Sequence, residues 1–151
     1  MLKNRLMDGD DRVPNWKPAV IVINSQQGDE ASEQRIKGET LSKGSTLYVR
    51  YVEPEPGPTG GTTRATIKIS QNELKIMRHG EVESEQTFQQ GKRLPGFYRS
   101  PYTRFNLSTD TSKLDSRLDE SGGSVAWEYD LWVHEEITGH FVISLHIQEE
   151  V

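Results

Sequence analysis

The sequence predicts an all-β domain, a single antiparallel up-and-down barrel of about eight to ten strands. Three observations carry this. From Lys17 to Gln148, apolar and polar residues alternate in short runs, the period of a strand with one buried face. Turn-forming residues interrupt the runs roughly every 8 to 12 residues, and helical spacing is nearly absent. Tight hairpins join the runs, so sequence neighbours pair in space, and ring closure removes the two edges that an open ten-stranded sheet would expose.

Residues 1 to 16 are polar, carry three basic and three acidic groups, and read as a flexible N-terminal arm with Met7 as an alternative start; the barrel domain is assigned to residues 17 to 148. Ala19 to Asn24 is a continuously apolar strand, as one covered on both faces would be. Arg35 to Leu41 and Thr46 to Val52 form a hairpin about Lys43-Gly44, with Thr40 opposite Leu47, Gly38 opposite Val49 and Ile36 opposite Tyr51. Residues 53 to 61 (EPEPGPTGG) hold three Pro and three Gly, so they form the longest loop, either a plain connection or a functional one.

Thr63 to Ser70 and Glu73 to Arg78 form a second hairpin around Gln71-Asn72, pairing Ile69 with Leu74, Ile67 with Ile76 and Ala65 with Arg78. Arg78 thereby falls at the inner, apolar parity. His79-Gly80 leads by a tight turn into Val82 to Gln89, and pairing Met77 with Val82 reverses the inner face unless a bulge lies near Met77. Gly91 to Tyr98 and Tyr102 to Leu107 flank Ser100-Pro101, and Ser112 to Leu118 follows with Leu114 and Leu118 inward. Last, Val125, Trp127, Tyr129, Leu131 and Val133 share an apolar face with Phe141, Ile143, Leu145 and Ile147. Folding about residue 137 pairs Val133 with Phe141, Leu131 with Ile143, Tyr129 with Leu145 and Trp127 with Ile147.

Composition narrows the function classes. At 151 residues and 17.2 kDa the chain is one domain. Eighteen basic against 23 acidic residues give a net charge of −5, which argues against a general polyanion binder. With no Cys, disulfides, thiol nucleophiles and Cys-ligated metal centres are excluded. No apolar run approaches the roughly 18 residues of a membrane span and residues 1 to 16 lack a secretory apolar region, so the expectation is a cytoplasmic protein without a membrane partner.

Several stretches, in order, resemble the YwiB-like family of uncharacterised proteins of Gram-positive bacteria. They are Ile76-Met77-Arg78-His79-Gly80, Phe88-Gln89-Gln90-Gly91, Tyr98-Arg99-Ser100-Pro101-Tyr102, Leu118-Asp119-Glu120-Ser121-Gly122-Gly123 and Tyr129-Asp130-Leu131. The resemblance implies a calycin-like, lipocalin-related barrel and no established activity. Two departures stand out: Thr103 replaces the family's usual Gly, and the Gly-x-Trp signature of true lipocalins is missing, Trp16 following Pro14-Asn15. A lipocalin-style transport role is therefore not implied.

Charge is uneven. Residues 86 to 109 carry Lys92, Arg93, Arg99 and Arg104 with no acid, interleaved with Phe97, Tyr98, Tyr102 and Phe105, whereas residues 110 to 151 carry two basic and ten acidic residues. Basic groups among aromatics suit anionic or stacking ligands; the plainer alternative is a solvated hairpin whose arginines pair with acidic neighbours. Arg78, at an inner parity, needs a carboxylate, carbonyls or an anion, with Glu39 or Asp130 as the expected structural partner. His134, His140, Glu135 and Glu136 lie on one hairpin but match no metal-ligand motif. Glu81, Glu83 and Glu85 share a strand face and read as solvated, and no nucleophile elbow, zincin motif or phosphate loop is present, so catalysis is unsupported.

The candidate ligand-binding residues are Arg78, Arg93, Tyr98, Tyr102 and Arg104, lining a barrel mouth that takes a small anionic or amphipathic molecule. The alternative is a protein or single-stranded nucleic-acid interaction module using the same hairpin from outside. No cofactor, metal or catalytic residue is assigned.

Overall fold

The computed structural model describes residues 15–150, all strand, turn and loop with no helix among them. The ten strands are β1 (Lys17–Gln27), β2 (Glu30–Lys43), β3 (Thr46–Val52), β4 (Thr63–Ile69), β5 (Leu74–Gly80), β6 (Glu83–Phe88), β7 (Arg93–Arg99), β8 (Arg104–Asp119), β9 (Gly122–Val133) and β10 (Glu136–Glu149). Each pairs antiparallel with the next, and β10 pairs with β1 to close the barrel, Ile147 against Ile21 and Leu145 against Ile23. The arm expected at the N-terminus lies, through residue 14, outside the described residues, as does Met7.

Alternation decides which side chains fill the barrel. Ala19, Ile21, Leu47, Val49, Ile67, Ile69, Leu74, Phe88, Val125, Trp127, Leu145 and Ile147 point inward and are almost fully buried. Phe88 sits at the centre, its ring 5.7 Å from Trp127 and 4.7 Å from Tyr129. Burial on this scale, roughly 1.5 to 3 kcal/mol for each large apolar side chain, holds the cylinder together without disulfides. On β1 only Ala19 and Ile21 are buried, Val20 and Val22 being half-covered, so this apolar run is covered fully on the inner face alone.

Three expected registers are corrected. The β2–β3 hairpin turns at Gly44-Ser45, pairing Thr40 with Val49 and Ser42 with Leu47, two residues from expectation. The β9–β10 hairpin pairs Val125 with Leu145, Trp127 with Ile143 and Tyr129 with Phe141, four residues from expectation. Its turn is the two residues His134 and Glu135, both at positive φ (52° and 66°), a mirror-type turn that usually calls for Asn or Gly and left no signal here. Between β5 and β6 no bulge is needed. The turn lies at Glu81-Val82, Arg78 faces Ser84, and Leu74 faces Phe88, so the inner face continues unbroken. The β4–β5 pairs are as expected.

Residues 104 to 119 form one strand, not two. Ser112 is an extra residue between Thr111 and Lys113, which oppose Tyr129 and Glu128. This bulge switches the inward set from Leu107, Thr109 and Thr111 to Leu114, Ser116 and Leu118. It lets β8 reach the β4–β5 turn, where the Ser116 hydroxyl lies 3.4 Å from the Ser70 and Gln71 carbonyls and covers that end of the barrel, the base.

Most buried hydroxyls are satisfied, Thr109 Oγ1 donating to the Thr87 carbonyl at 2.6 Å and Thr40 Oγ1 to that of Tyr48 at 3.1 Å. Thr111 Oγ1 has no partner. Thr111→Val, which removes an orphaned hydroxyl at nearly constant shape, is expected to raise stability by about 1 kcal/mol in urea unfolding. Phe88→Ala is expected to cost about 3 to 5 kcal/mol by the same measurement.

Candidate functional site

The end opposite the base carries the loop at residues 53 to 62 and the turns at 81–82, 100–103 and 134–135. Inward residues near it are less completely buried: Ile23, Tyr51, Ile76, Leu131, Phe141 and Ile143 pack on the core but keep part of their surface. Tyr129 and Phe141 stack at 5.2 Å and carry the aromatic column from Phe88 toward this mouth. Burial pushes the Tyr129 phenol up to about 12, so it stays neutral, hydrogen-bonded to Gln86.

Arg78 occupies the mouth, as its parity requires, between Ala65 and Ser84 on neighbouring strands. Its partner is neither Glu39 nor Asp130. Glu39 faces outward and pairs with Arg50 at 2.8 Å, and Asp130 faces outward and bonds His140. Glu53 takes the role, accepting from Arg78 Nε at 2.7 Å and from Nη2 at 2.8 Å. That bidentate contact raises the guanidinium's affinity for its proton. The pair is partly exposed (31% for Arg78, 20% for Glu53), and Nη1 makes no hydrogen bond among the described residues. Tyr51 and Tyr98 flank it; burial first, then Glu53, pushes the Tyr51 phenol up to about 12. Tyr98 stacks on Phe105 at 5.2 Å. Gln34, Ile36, Tyr51, Glu53, Glu55 and Arg78 surround a cleft of about 220 Å³.

The loop above the mouth is folded around another carboxylate. Glu81 accepts from the amide and hydroxyl of Thr59 and from the amide of Gly61. The Gly57 amide donates to the Gly61 carbonyl at 2.8 Å, closing the loop on itself. A Cβ at Gly57 or Gly61 would fall within 2.9 Å of the Glu81 carboxylate, so a side chain at either position would displace that carboxylate from the loop amides. Hydrogen bonds from Thr59 and then Gly61 hold the Glu81 pKa below its ordinary 4.5. The three glutamates read as solvated on one strand face each have a partner: besides Glu81, Glu83 pairs with Arg99 at 3.3 Å and Glu85 with Lys75 at 3.7 Å.

The other candidates are dispersed. Tyr98 joins Arg78 inside. Tyr102 projects from the 100–103 turn, 74% exposed, and Arg104 faces outward beside it with no carboxylate within ion-pair distance among the described residues. Arg93 is not brought to the mouth. It lies on the outer face of β7, its guanidinium 3.9 Å from the Trp132 ring centroid, bonded to Ser108 and 3.6 Å from Glu135. For Arg93 and Arg99 the plain reading describes the geometry, since each pairs with a nearby acid. Sequence reasoning missed Glu53 and Tyr51, although the inward series Leu47, Val49, Tyr51 runs on by strand parity to Glu53.

On the outer face of β9–β10, His140 Nδ1 lies 2.7 Å from Asp130 Oδ1 and Nε2 lies 2.8 Å from Glu128 Oε2. Hydrogen bonding to Asp130, then Glu128, raises the imidazole pKa above 6.5.

A closed ten-stranded meander with a packed base and a polar–aromatic mouth defines a small β-barrel protein, and the comparisons agree with that class. The family described as "Domain of unknown function (DUF1934)" matches residues 20–145, and the chain belongs to it. It is 30% identical over 115 residues to the "Uncharacterized beta-barrel protein YwiB" of Bacillus subtilis (strain 168), covering 76% of this chain and 79% of that protein. The crystal structure of ywiB protein from Bacillus subtilis superposes with a TM-score of 0.77 at 24% identity, covering 90% of this chain and 94% of the other.

Two titrations check this geometry. The amide proton shifts of Thr59 and Gly61 are expected to titrate together in NMR spectra with a midpoint below 4.5 and to lose that transition in Glu81→Gln. A raised histidine pKa stabilises the fold fully below 6.5, and the contribution disappears as pH rises through the raised value. His140→Gln is thus expected to lose most stability, relative to the parent, on the acid side of 6.5 and progressively less on raising the pH. Because the imidazole is 51% exposed, the effect is small and weakened by salt.

Proposed function

We propose that this chain is a small-molecule-binding or accessory module whose barrel mouth receives the anionic group of a small or amphipathic ligand. The observation that carries the reading is the placement of Arg78. One edge of its guanidinium is held by Glu53, Nη1 makes no hydrogen bond among the described residues, and Tyr51 and Tyr98 are near the group. A guanidinium fixed on one edge and flanked by aromatic rings is pre-organised to receive a carboxylate, sulfonate or phosphate on the other. Ile36 and Tyr51, which line the same cleft, offer apolar contact for whatever the anion carries.

Size restricts the ligand. The cleft of about 220 Å³ is smaller than the roughly 300 to 1,000 Å³ of pockets that enclose drug-sized molecules. It suits an anionic head and a short apolar segment.

Anilinonaphthalene sulfonate, an amphipathic anion, is a suitable probe for titration with the folded protein. Saturable binding is expected, weakened about tenfold or more, about 1.4 kcal/mol, in the charge-balanced Arg78→Gln/Glu53→Gln variant. Native mass spectrometry of protein purified from its own cells should show an adduct. A bare polypeptide mass in every preparation, together with probe binding indifferent to the double substitution, would reject the reading.

A further inference from the structure

On the outer surface of β3, β4 and β5 the strand registers place nine side chains in a three-by-three grid. Tyr48, Lys68 and Lys75 form one row, Arg50, Thr66 and Met77 the next, and Val52, Arg64 and His79 the third. The inward partners on these strands, Leu47, Val49, Ala65, Ile67, Ile69 and Leu74, are buried, so the nine face outward. Adjacent strands are about 4.8 Å apart and two-residue steps about 6.7 Å, so the grid covers roughly 10 by 13 Å. It holds four permanent cations and a histidine, and no carboxylate.

In a chain of net charge −5 this face is unusual, and its layout is costly to the fold. Lys68 and Lys75 are direct cross-strand neighbours, an arrangement that destabilises a sheet unless something neutralises it. Lys75 and Arg50 each reach an acid on a flanking strand, Glu85 at 3.7 Å and Glu39 at 2.8 Å. Arg64 and Lys68 have no carboxylate within ion-pair distance among the described residues. Flat and apolar surface lies among the charges. The Trp16 ring lies beneath the Arg50 guanidinium at 3.8 Å, Val52 is 49% exposed, and Tyr48 is half-buried.

We infer that the β3–β5 face docks a single-stranded nucleic acid. Cations spaced along a surface and interleaved with planar and apolar groups match a polymer that presents both phosphates and base faces. An acidic peptide would answer the charge and leave Trp16 and Tyr48 without a role. The acidic half of the molecule, residues 110 to 151, confines binding to this side, because the local field and not the net charge steers a polyanion. This site is separate from the mouth and does not depend on the ligand proposed there.

The test is fluorescence anisotropy with a fluorescein-labelled oligodeoxythymidine of about 20 nucleotides, titrated at several salt concentrations. If four cations contact phosphates, log K is expected to fall with log salt at a slope of about −2.8. Lys68→Gln should make that slope shallower by about 0.7, and Arg64→Gln/Lys68→Gln should weaken low-salt binding at least about tenfold. Arg117→Gln, a cation on β8 outside the grid and paired with Asp115, should leave binding unchanged. Lys68→Gln should also melt at or above the parent's temperature, since it relieves the Lys68–Lys75 repulsion, so lost binding would not reflect lost folding. The proposal is overturned by absent binding at low salt, by an effect of Arg117→Gln equal to that of Lys68→Gln, or by a polyglutamate peptide or blunt duplex binding as tightly.

Discussion

The pairing of β10 with β1 is the constraint on which the rest of the structure depends. Eight consecutive residue pairs, from Val142 with Gln26 to Glu149 with Ala19, join the last strand to the first. Without them both strands would be edges, each presenting a row of unpaired backbone groups. With them, every strand has two neighbours and alternate side chains enter one enclosed volume. A chain with 32% apolar residues and no cysteine has little else from which to draw stability.

The enclosed volume is not uniform along its axis. Phe88 and Trp127, with the aliphatic residues around them, fill the centre, and the Ser112 bulge turns β8 so that Ser116 meets the β4–β5 turn at the base. Toward the mouth the filling changes from aliphatic to aromatic and then to charged: Tyr129, Phe141, Tyr51, Tyr98, Arg78 and Glu53. A half-buried guanidinium facing the barrel interior is unfavourable without an acid, so Glu53 accounts for how Arg78 is tolerated. The same pair ties the start of the long loop to β5, and Glu81 secures the loop's far side at Thr59 and Gly61. The loop is therefore a built part of the mouth and not a slack connection.

What the sequence made legible follows from the two-residue period of a strand. The inward sets of β3, β4, β9 and β10 read correctly because a hairpin slipped by two or four residues keeps the same faces. This is why the β2–β3 and β9–β10 registers could differ from expectation while Leu47, Val49, Leu145 and Ile147 still pointed inward. The apparent conflict at Met77 came from an odd slip, and placing the turn at Glu81-Val82 removes it. The His134-Glu135 turn was invisible because neither residue signals positive φ. At the mouth, parity placed Arg78 inside, but its partner Glu53 lies one residue past the end of β3, at the start of the Pro- and Gly-rich loop, where the inward series was not carried on. Arg93 was grouped with Tyr98 by closeness in sequence, yet odd and even positions on β7 face opposite sides of the wall.

Surface charge is arranged with similar economy. Most outward ion pairs bridge adjacent strands, as in Arg99 with Glu83, Arg50 with Glu39 and Lys75 with Glu85, each worth little alone in water. The β3–β5 face concentrates one sign: its Arg50 and Lys75 follow this pattern, whereas Arg64 and Lys68 have no such partner among the described residues.

Ring closure is tested most directly by hydrogen exchange at the seam. With the ring closed, amides of β1 and β10 that bond across it, among residues 19 to 26 and 142 to 149, should exchange as slowly as those between β9 and β10. Exchange at the seam several orders of magnitude faster than within the β9–β10 hairpin, at the rates of a fraying edge, would contradict a closed barrel.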